Sequence, residues 1–287
     1  MTKIYNRETK DFYEQKESGT LALKFLYNTI IGRFILKWLI NPSVSQISGK
    51  YNDSKYSKRK IKKFIKKNKI NMEDFIEEEY QNFNDFFTRT IKDEKRPMTK
   101  NQKRFISPAD SKVLAYDITE DLKLTIKGST YTLNELINNE EDLSEFKNGK
   151  CLVFRLCVDD YHHYCYPDDG RLIKYNKIEG KLHTVRSISS KYNIYKENQR
   201  EYSIIETDNF DKIVYIEVGA LMVGKIVNTI KEKFTKGEEK GYFKLGGSTI
   251  VILVKDNQLI LDKDIINNSK NDIETEVKYR ETIGAKK

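Results

Sequence analysis

Cysteine, histidine and tryptophan are scarce in this 287-residue chain, at three, three and one. Cys151, Cys157 and Cys165 are odd in number, clustered, and lack a C-x-x-C spacing. That argues against a disulfide framework and a zinc site, and points to a reducing cytoplasm. No apolar run is both long and uncharged enough to span a bilayer. The first residues are polar and charged, so no secretory signal is expected. Internal repeats, low-complexity linkers and an aromatic-interleaved basic stripe are also missing, which disfavours nucleic acid as a partner.

What is present is length and positive charge. The chain is ample for one large domain or two small ones. Lys plus Arg outnumber Asp plus Glu by 52 to 43, a net charge of +9. Such a surface suits a phosphate-bearing partner, an anionic membrane included.

Residues 1–20 read as a polar lead-in. Residues 21–40 are mostly apolar but are interrupted by Lys24, Arg33 and Lys37. Thr29, Arg33 and Lys37 share one helical stripe, Trp38 lies near the end, and Asn41-Pro42 closes the segment. This predicts either a helix lying in a membrane interface or a core helix. Residues 51–70 carry nine Lys and Arg between Lys55 and Lys69, with Ile61, Phe64, Ile65 and Ile70 as an apolar side. They predict a basic amphipathic helix. Residues 71–89, with Phe75, Tyr80, Phe83, Phe86 and Phe87, predict one or two further helices with an aromatic face. From about residue 105 short β-type runs take over, the last being Ile250 to Val254. The expected fold class is α+β: a mainly helical region over 1–104 and a β-rich core over 105–287.

Three stretches in the β-rich part carry candidate chemistry. Ser107-Pro108-Ala109-Asp110 is a rigid turn into a strand. Asp159 to Gly170 holds His162 and His163, beside Asp160 and Cys165. Gly246-Gly247-Ser248-Thr249 joins two strands; its plain reading is a hairpin turn. Adjacent histidines on a strand point to opposite faces, so no metal site is expected. Asp110, His162 and Ser248 together would form a charge-relay set, recognised by roles and not by order.

These pieces match a known pattern. Phe83-Asn84-Asp85-Phe86-Phe87-Thr88-Arg89, Arg96-Pro97, Ser107-Pro108-Ala109-Asp110 and Asp160-Tyr161-His162 come first. Arg200-Glu201-Tyr202-Ser203, Glu217-Val218-Gly219-Ala220 with Val223-Gly224, and Lys236-Gly237-Glu238 follow. Gly241-Tyr242-Phe243 and Gly246-Gly247-Ser248-Thr249 end the series. In order and spacing the chain resembles the phosphatidylserine decarboxylase proenzymes of the bacterial, Gly-Gly-Ser-Thr kind. The resemblance implies self-cleavage between Gly247 and Ser248. Ser248 would become a covalent pyruvoyl cofactor that forms a Schiff base with phosphatidylserine. Loss of CO2 would give phosphatidylethanolamine. The two cleaved chains, β and α, would jointly build the β-rich core.

One departure stands out. The family motif runs His-Arg-x-His; here His162 keeps the first place, His163 replaces Arg, and Cys165 replaces the second His. Ser111 replaces the Gly that usually follows the aspartate. His183 stands where the family often has Tyr or Phe. Cys165 as a thiolate, His163 and His183 are therefore candidate replacement bases, and His162 is the preferred one. A lipid substrate favours the interfacial reading of 21–40, with peripheral attachment to the cytoplasmic leaflet through an anionic membrane surface. A homodimer is a candidate assembly. The alternatives are a non-catalytic lipid-binding relative that lost its base, and a pyruvoyl decarboxylase acting on a soluble amino acid or another serine-headed lipid.

Overall fold

The computed structural model describes residues 2–15, 25–26, 28–29, 31–32, 34–35, 49–119, 123–126, 129–179, 199–219, 226–244 and 248–287. Runs rich in β-branched and aromatic residues form strands. The first six are β1 (Thr2–Asn6), β2 (Phe12–Gln15), β3 (Arg104–Ile106), β4 (Ser111–Asp117), β5 (Lys123–Ile126) and β6 (Ser129–Thr132). Then come β7 (Lys150–Leu156), β8 (His163–Cys165), β9 (Gly170–Ile178), β10 (Arg200–Thr207), β11 (Asp211–Val218) and β12 (Ile226–Asn228). The last are β13 (Lys233–Phe234), β14 (Glu239–Phe243), β15 (Ser248–Val254), β16 (Leu259–Leu261), β17 (Glu274–Val277) and β18 (Thr282–Lys286).

Ten of them form one sheet in the order β13-β9-β10-β11-β15-β7-β4-β17-β1-β2. Among its described strands, only β1 and β17 run parallel. β15 lies between β11 and β7, and all seven of its residues are buried. Both of its faces are covered, which is why it reads as an unbroken apolar run and not an alternating one. A small sheet, β12-β14-β8, covers one face: the Tyr164 ring packs against Tyr215, and Lys240 reaches Glu217. A second, β16-β18-β3, adds Leu259, Leu261, Ile283 and Phe105 to the same core.

The described helices are short. α1 (Arg59–Asn68) follows a 3-10 turn at Lys55–Lys58, α2 is Phe83–Phe87, α3 is Leu133–Leu136, and α4 is Lys263–Lys270. The basic helix expected within 51–70 is α1. Its apolar side is consumed internally: Ile61, Phe64 and Ile65 pack on Phe83, Phe86 and Phe87. Its lysines are therefore what it offers outward. The helices expected over 71–89 reduce to a 3-10 turn at Met72–Asp74 and α2. Phe75 instead bridges to Ile91, because a hydrogen-bonded extended segment buries that ring as well as a helix would.

The N-terminal lead-in is a hairpin, not a tail. β1 pairs with β17 and β2 with β1, so residues before position 104 extend the core sheet. Ile4 is fully buried there. Arg7, in the turn, bonds Asp262, Asp264 and Glu281 at 2.7 Å each. The anchors are some 250 residues away in sequence, which is why local patterning does not reveal them. Most of 21–40 lies outside the described residues. Among those described, Phe25, Ile31, Phe34 and Ile35 are exposed. No described helix is long and apolar enough to cross a membrane.

Candidate active site

Ser248 opens β15, opposite Leu156 of β7. Its side chain is wholly buried, and Oγ has no hydrogen-bond partner among the described residues. An unsatisfied buried hydroxyl costs about 1–3 kcal/mol, so a position that keeps one invites a functional account. Gly246, Gly247 and His183 lie outside the described residues.

The loop leaving β7 is fixed by a buried ion pair. Lys112 Nζ binds Asp160 Oδ1 at 2.6 Å, and Asp160 Oδ2 accepts from the Cys157 N–H at 2.6 Å. Burial pushes the Asp160 carboxyl up to about 6 against the pull of Lys112. This turn holds the Cys157 carbonyl 2.9 Å from His162 Nε2. A carbonyl only accepts, so Nε2 carries the proton and Nδ1 presents its lone pair. Nδ1 is buried with no partner among the described residues. The ring lies 4.3 Å from the Phe87 ring. Burial, then the nearby Arg89 charge, pushes the imidazole down to about 3, so it is neutral. Cys157 follows Leu156, the partner of Ser248 across the ladder. Two unpartnered groups, a hydroxyl and an imidazole lone pair, are thus anchored at one end of β7.

Asp110 is not bonded to His162. Arg96 takes it in a two-pronged grip, Nε to Oδ1 at 2.9 Å and Nη2 to Oδ2 at 2.6 Å. The Tyr279 N–H donates to Oδ1 at 2.6 Å. Although burial opposes it, this grip holds the carboxyl below its usual range. Cys165 lies beside the same turn, its N–H bonded to the Pro108 carbonyl at 2.9 Å and its Sγ 3.8 Å from the Ser107 carbonyl. Where the family resemblance leads one to expect a histidine for Asp110, the chain has a thiol, and the carboxylate turns to Arg96. Burial pushes that thiol up to about 12, so the thiolate is not the form present at neutral pH. His163 is fully engaged: Nδ1 meets Glu239 Oε2 at 2.7 Å and Nε2 meets the Thr88 carbonyl at 3.0 Å. Its ring is stacked between Tyr161 and Tyr242. Neither Cys165 nor His163 offers a free basic lone pair.

A second buried polar group shares the face of Ser248. Glu217, wholly buried on β11, binds Lys240 of β14, itself 1% exposed. Sequence reading singles out neither as a site residue. A glutamate inside the apolar run from Ile213 to Val218 is the signal that would find it, since buried charges need partners.

A family model described as phosphatidylserine decarboxylase matches residues 83–285. Phosphatidylserine decarboxylase proenzyme 2 of Clostridium acetobutylicum is 52% identical over 284 residues, covering 98% of this chain and 97% of its own. The phosphatidylserine decarboxylase proenzyme of Clostridium tetani is 41% identical over 293 residues, covering 100% and 99%. That of Clostridium botulinum strain Hall is 43% identical over 296 residues, covering both chains fully. Match and similarity take in the Ser248 strand, the His162 loop and the Asp110 turn together, and the chain belongs to the phosphatidylserine decarboxylase family.

Proposed function

We propose that the chain is a phosphatidylserine decarboxylase made as a proenzyme that cuts itself between Gly247 and Ser248. The carrying observation is a pair of buried atoms at one end of β7 that have no partner among the described residues: Ser248 Oγ and His162 Nδ1. In this reading Nδ1 takes the hydroxyl proton and Oγ attacks the Gly247 carbonyl carbon. The Gly247–Ser248 amide bond breaks, its nitrogen takes the proton from His162, and an ester remains. Removal of the α-hydrogen of residue 248 then expels the chain ending at Gly247 as a carboxylate. The dehydroalanine left behind hydrolyses to a pyruvoyl terminus and ammonia.

The site fits that group: residue 248 is buried, and its side-chain oxygen has no competing bond among the described residues. When present, the group supplies a carbonyl electron sink for the pair released as CO2 leaves phosphatidylserine. The products 1–247 and 248–287 stay together because β15 remains laddered between β11 and β7. Asp110 keeps Arg96 and the Tyr279 backbone in place beside the site and does not take up the relayed charge. The comparisons lend no support to a non-catalytic relative.

Intact mass of freshly purified protein tests this. Two chains, the smaller beginning with a pyruvoyl residue at 248, are expected; one stable 33.8 kDa chain would overturn it. Cys165→Ala bears on the base. With the thiol neutral, its cleavage rate should stay within about threefold of wild type, while the buried cavity costs about 1 kcal/mol of stability. A cleavage defect of a hundredfold by timed mass spectrometry would restore the thiol as the base.

The lipid substrate implies a surface contact. We place it at exposed Ile31 and Phe34 together with the outward lysines of α1. Phe34→Glu with Ile31→Glu should lower binding to vesicles containing phosphatidylserine by about tenfold, read by co-sedimentation at low salt. Unchanged binding would move the contact elsewhere. Deleting 1–40 is a poorer test, because it also removes the β1–β2 hairpin from the sheet.

A further inference from the structure

Opposed residues of an antiparallel pair share a face, and successive residues alternate. Val218 faces Thr249 and Glu217 faces Ile250, so Glu217 and Ser248 lie on one face, diagonal across adjacent strands. Diagonal positions are roughly 7–8 Å apart at Cα, within reach of a long side chain. Glu217 Oε1 is taken by Lys240, but Oε2 is buried and has no partner among the described residues. Ser203, opposite Tyr215, continues the diagonal onto β10, and its Oγ likewise has no partner among the described residues. A polar line therefore crosses an otherwise apolar interlayer. It is also wired outward. Lys240 bonds Asn228 Oδ1 at 3.2 Å, Asn228 bonds Glu201 at 2.8 Å, and Glu201 lies 3.3 Å from Lys177, whose side chain is 53% exposed. Stability does not require this: well-packed apolar residues serve at least as well as a buried ion pair, and a bare carboxyl oxygen is a cost.

We propose that Glu217 Oε2 takes a proton from the primary ammonium of the lipid headgroup as it arrives at residue 248. This rests on the self-cleavage reading, because it places a carbonyl at 248. An ammonium has no lone pair and cannot attack a carbonyl. The N–H bond breaks, the proton goes to Oε2, and the electron pair stays on nitrogen, now a nucleophile. The same proton returns to the product amine when it leaves, so the carboxylate is regenerated. Lys240 from β14, Glu201 from β10, Tyr164 and Tyr166 beside the interlayer, Tyr175 from β9 and Tyr215 from β11 surround the carboxyl. Burial pushes it up to about 7 against Lys240, which suits a group that accepts and returns a proton near neutrality.

Glu217→Gln separates the roles. Cleavage is followed by intact mass. Capture of methoxyamine, an amine already neutral at pH 7, is followed by the mass of the 248–287 chain. Turnover is followed on phosphatidylserine vesicles. Cleavage and methoxyamine capture should match wild type, while kcat/KM for phosphatidylserine falls about 10²–10⁴-fold and its acid limb near pH 7 disappears. Retained kcat/KM, or capture lost in parallel with turnover, overturns the proposal. Lys240→Met provides a second readout: losing its cation, the carboxyl holds its proton longer and the acid limb moves to higher pH. An unmoved limb also overturns it. If wild type neither cleaves nor captures methoxyamine, the self-cleavage reading fails first and takes this proposal with it.

Discussion

Ser248→Ala leaves a single uncut chain of 33.8 kDa that does not turn over phosphatidylserine. The expected loss of cleavage is roughly six orders of magnitude, the scale seen when an activated serine nucleophile is removed. No other described hydroxyl can replace it in the same bond: Thr249 is the next residue but faces the other side of the sheet. The substitution should not harm the fold. Ser248 Oγ makes no hydrogen bond among the described residues, so its removal deletes an unsatisfied polar atom and leaves the β15 ladder untouched. Thermal unfolding should occur at or above that of the uncut wild-type chain, by up to about 1–3 kcal/mol. The two measurements work together. A folded, uncut, inactive chain identifies the nucleophile; a folded chain that still cuts at 247 would remove Ser248 from that role.

Much of this arrangement is legible in the chain, and the reason differs from part to part. β15 and β11 announce themselves because central strands need apolar residues on both faces, and Ile250 to Val254 has nothing else. The basic helix is legible through its period. The Ser248 joint and the Asp110 and His162 stretches are visible through residue type and order. What escapes is whatever distant partners decide. The hairpin at Thr2–Gln15 depends on Arg7 finding three carboxylates near the C-terminal end. The partner of Asp110 is equally remote from local pattern: Arg96 competes for it through two parallel charge-assisted bonds, which a list of titratable residues does not rank. Neighbouring histidines look alike in sequence. The structure separates them by what each nitrogen touches: both of His163 are occupied, and one of His162 has no partner among the described residues.

His162→Gln should slow self-cleavage by about 10²–10⁴-fold, the usual worth of a positioned base. The amide nitrogen of Gln can still donate to the Cys157 carbonyl, so the loop keeps its anchor while the lone pair is lost. The same change alters acid stability. The folded ring titrates near 3, against 6.5 for the free side chain. Between those values the unfolded state binds the extra proton, so His162 lowers stability as the pH falls below 6.5, and its contribution is intact only above that. Comparing Ser248→Ala with Ser248→Ala/His162→Gln keeps both chains uncut. Between pH 7.5 and pH 5 the double variant should lose less thermal stability. A ring this averse to a proton cannot store one. As the proposed base it would pass the hydroxyl proton on to the departing amide nitrogen, so the cleavage rate should not fall as pH drops through 6.5. A wild-type rate that titrates there, or a His162→Gln variant that cuts at the wild-type rate, would take the proton away from His162 and leave Glu217, diagonal to the same hydroxyl, as the group to test next.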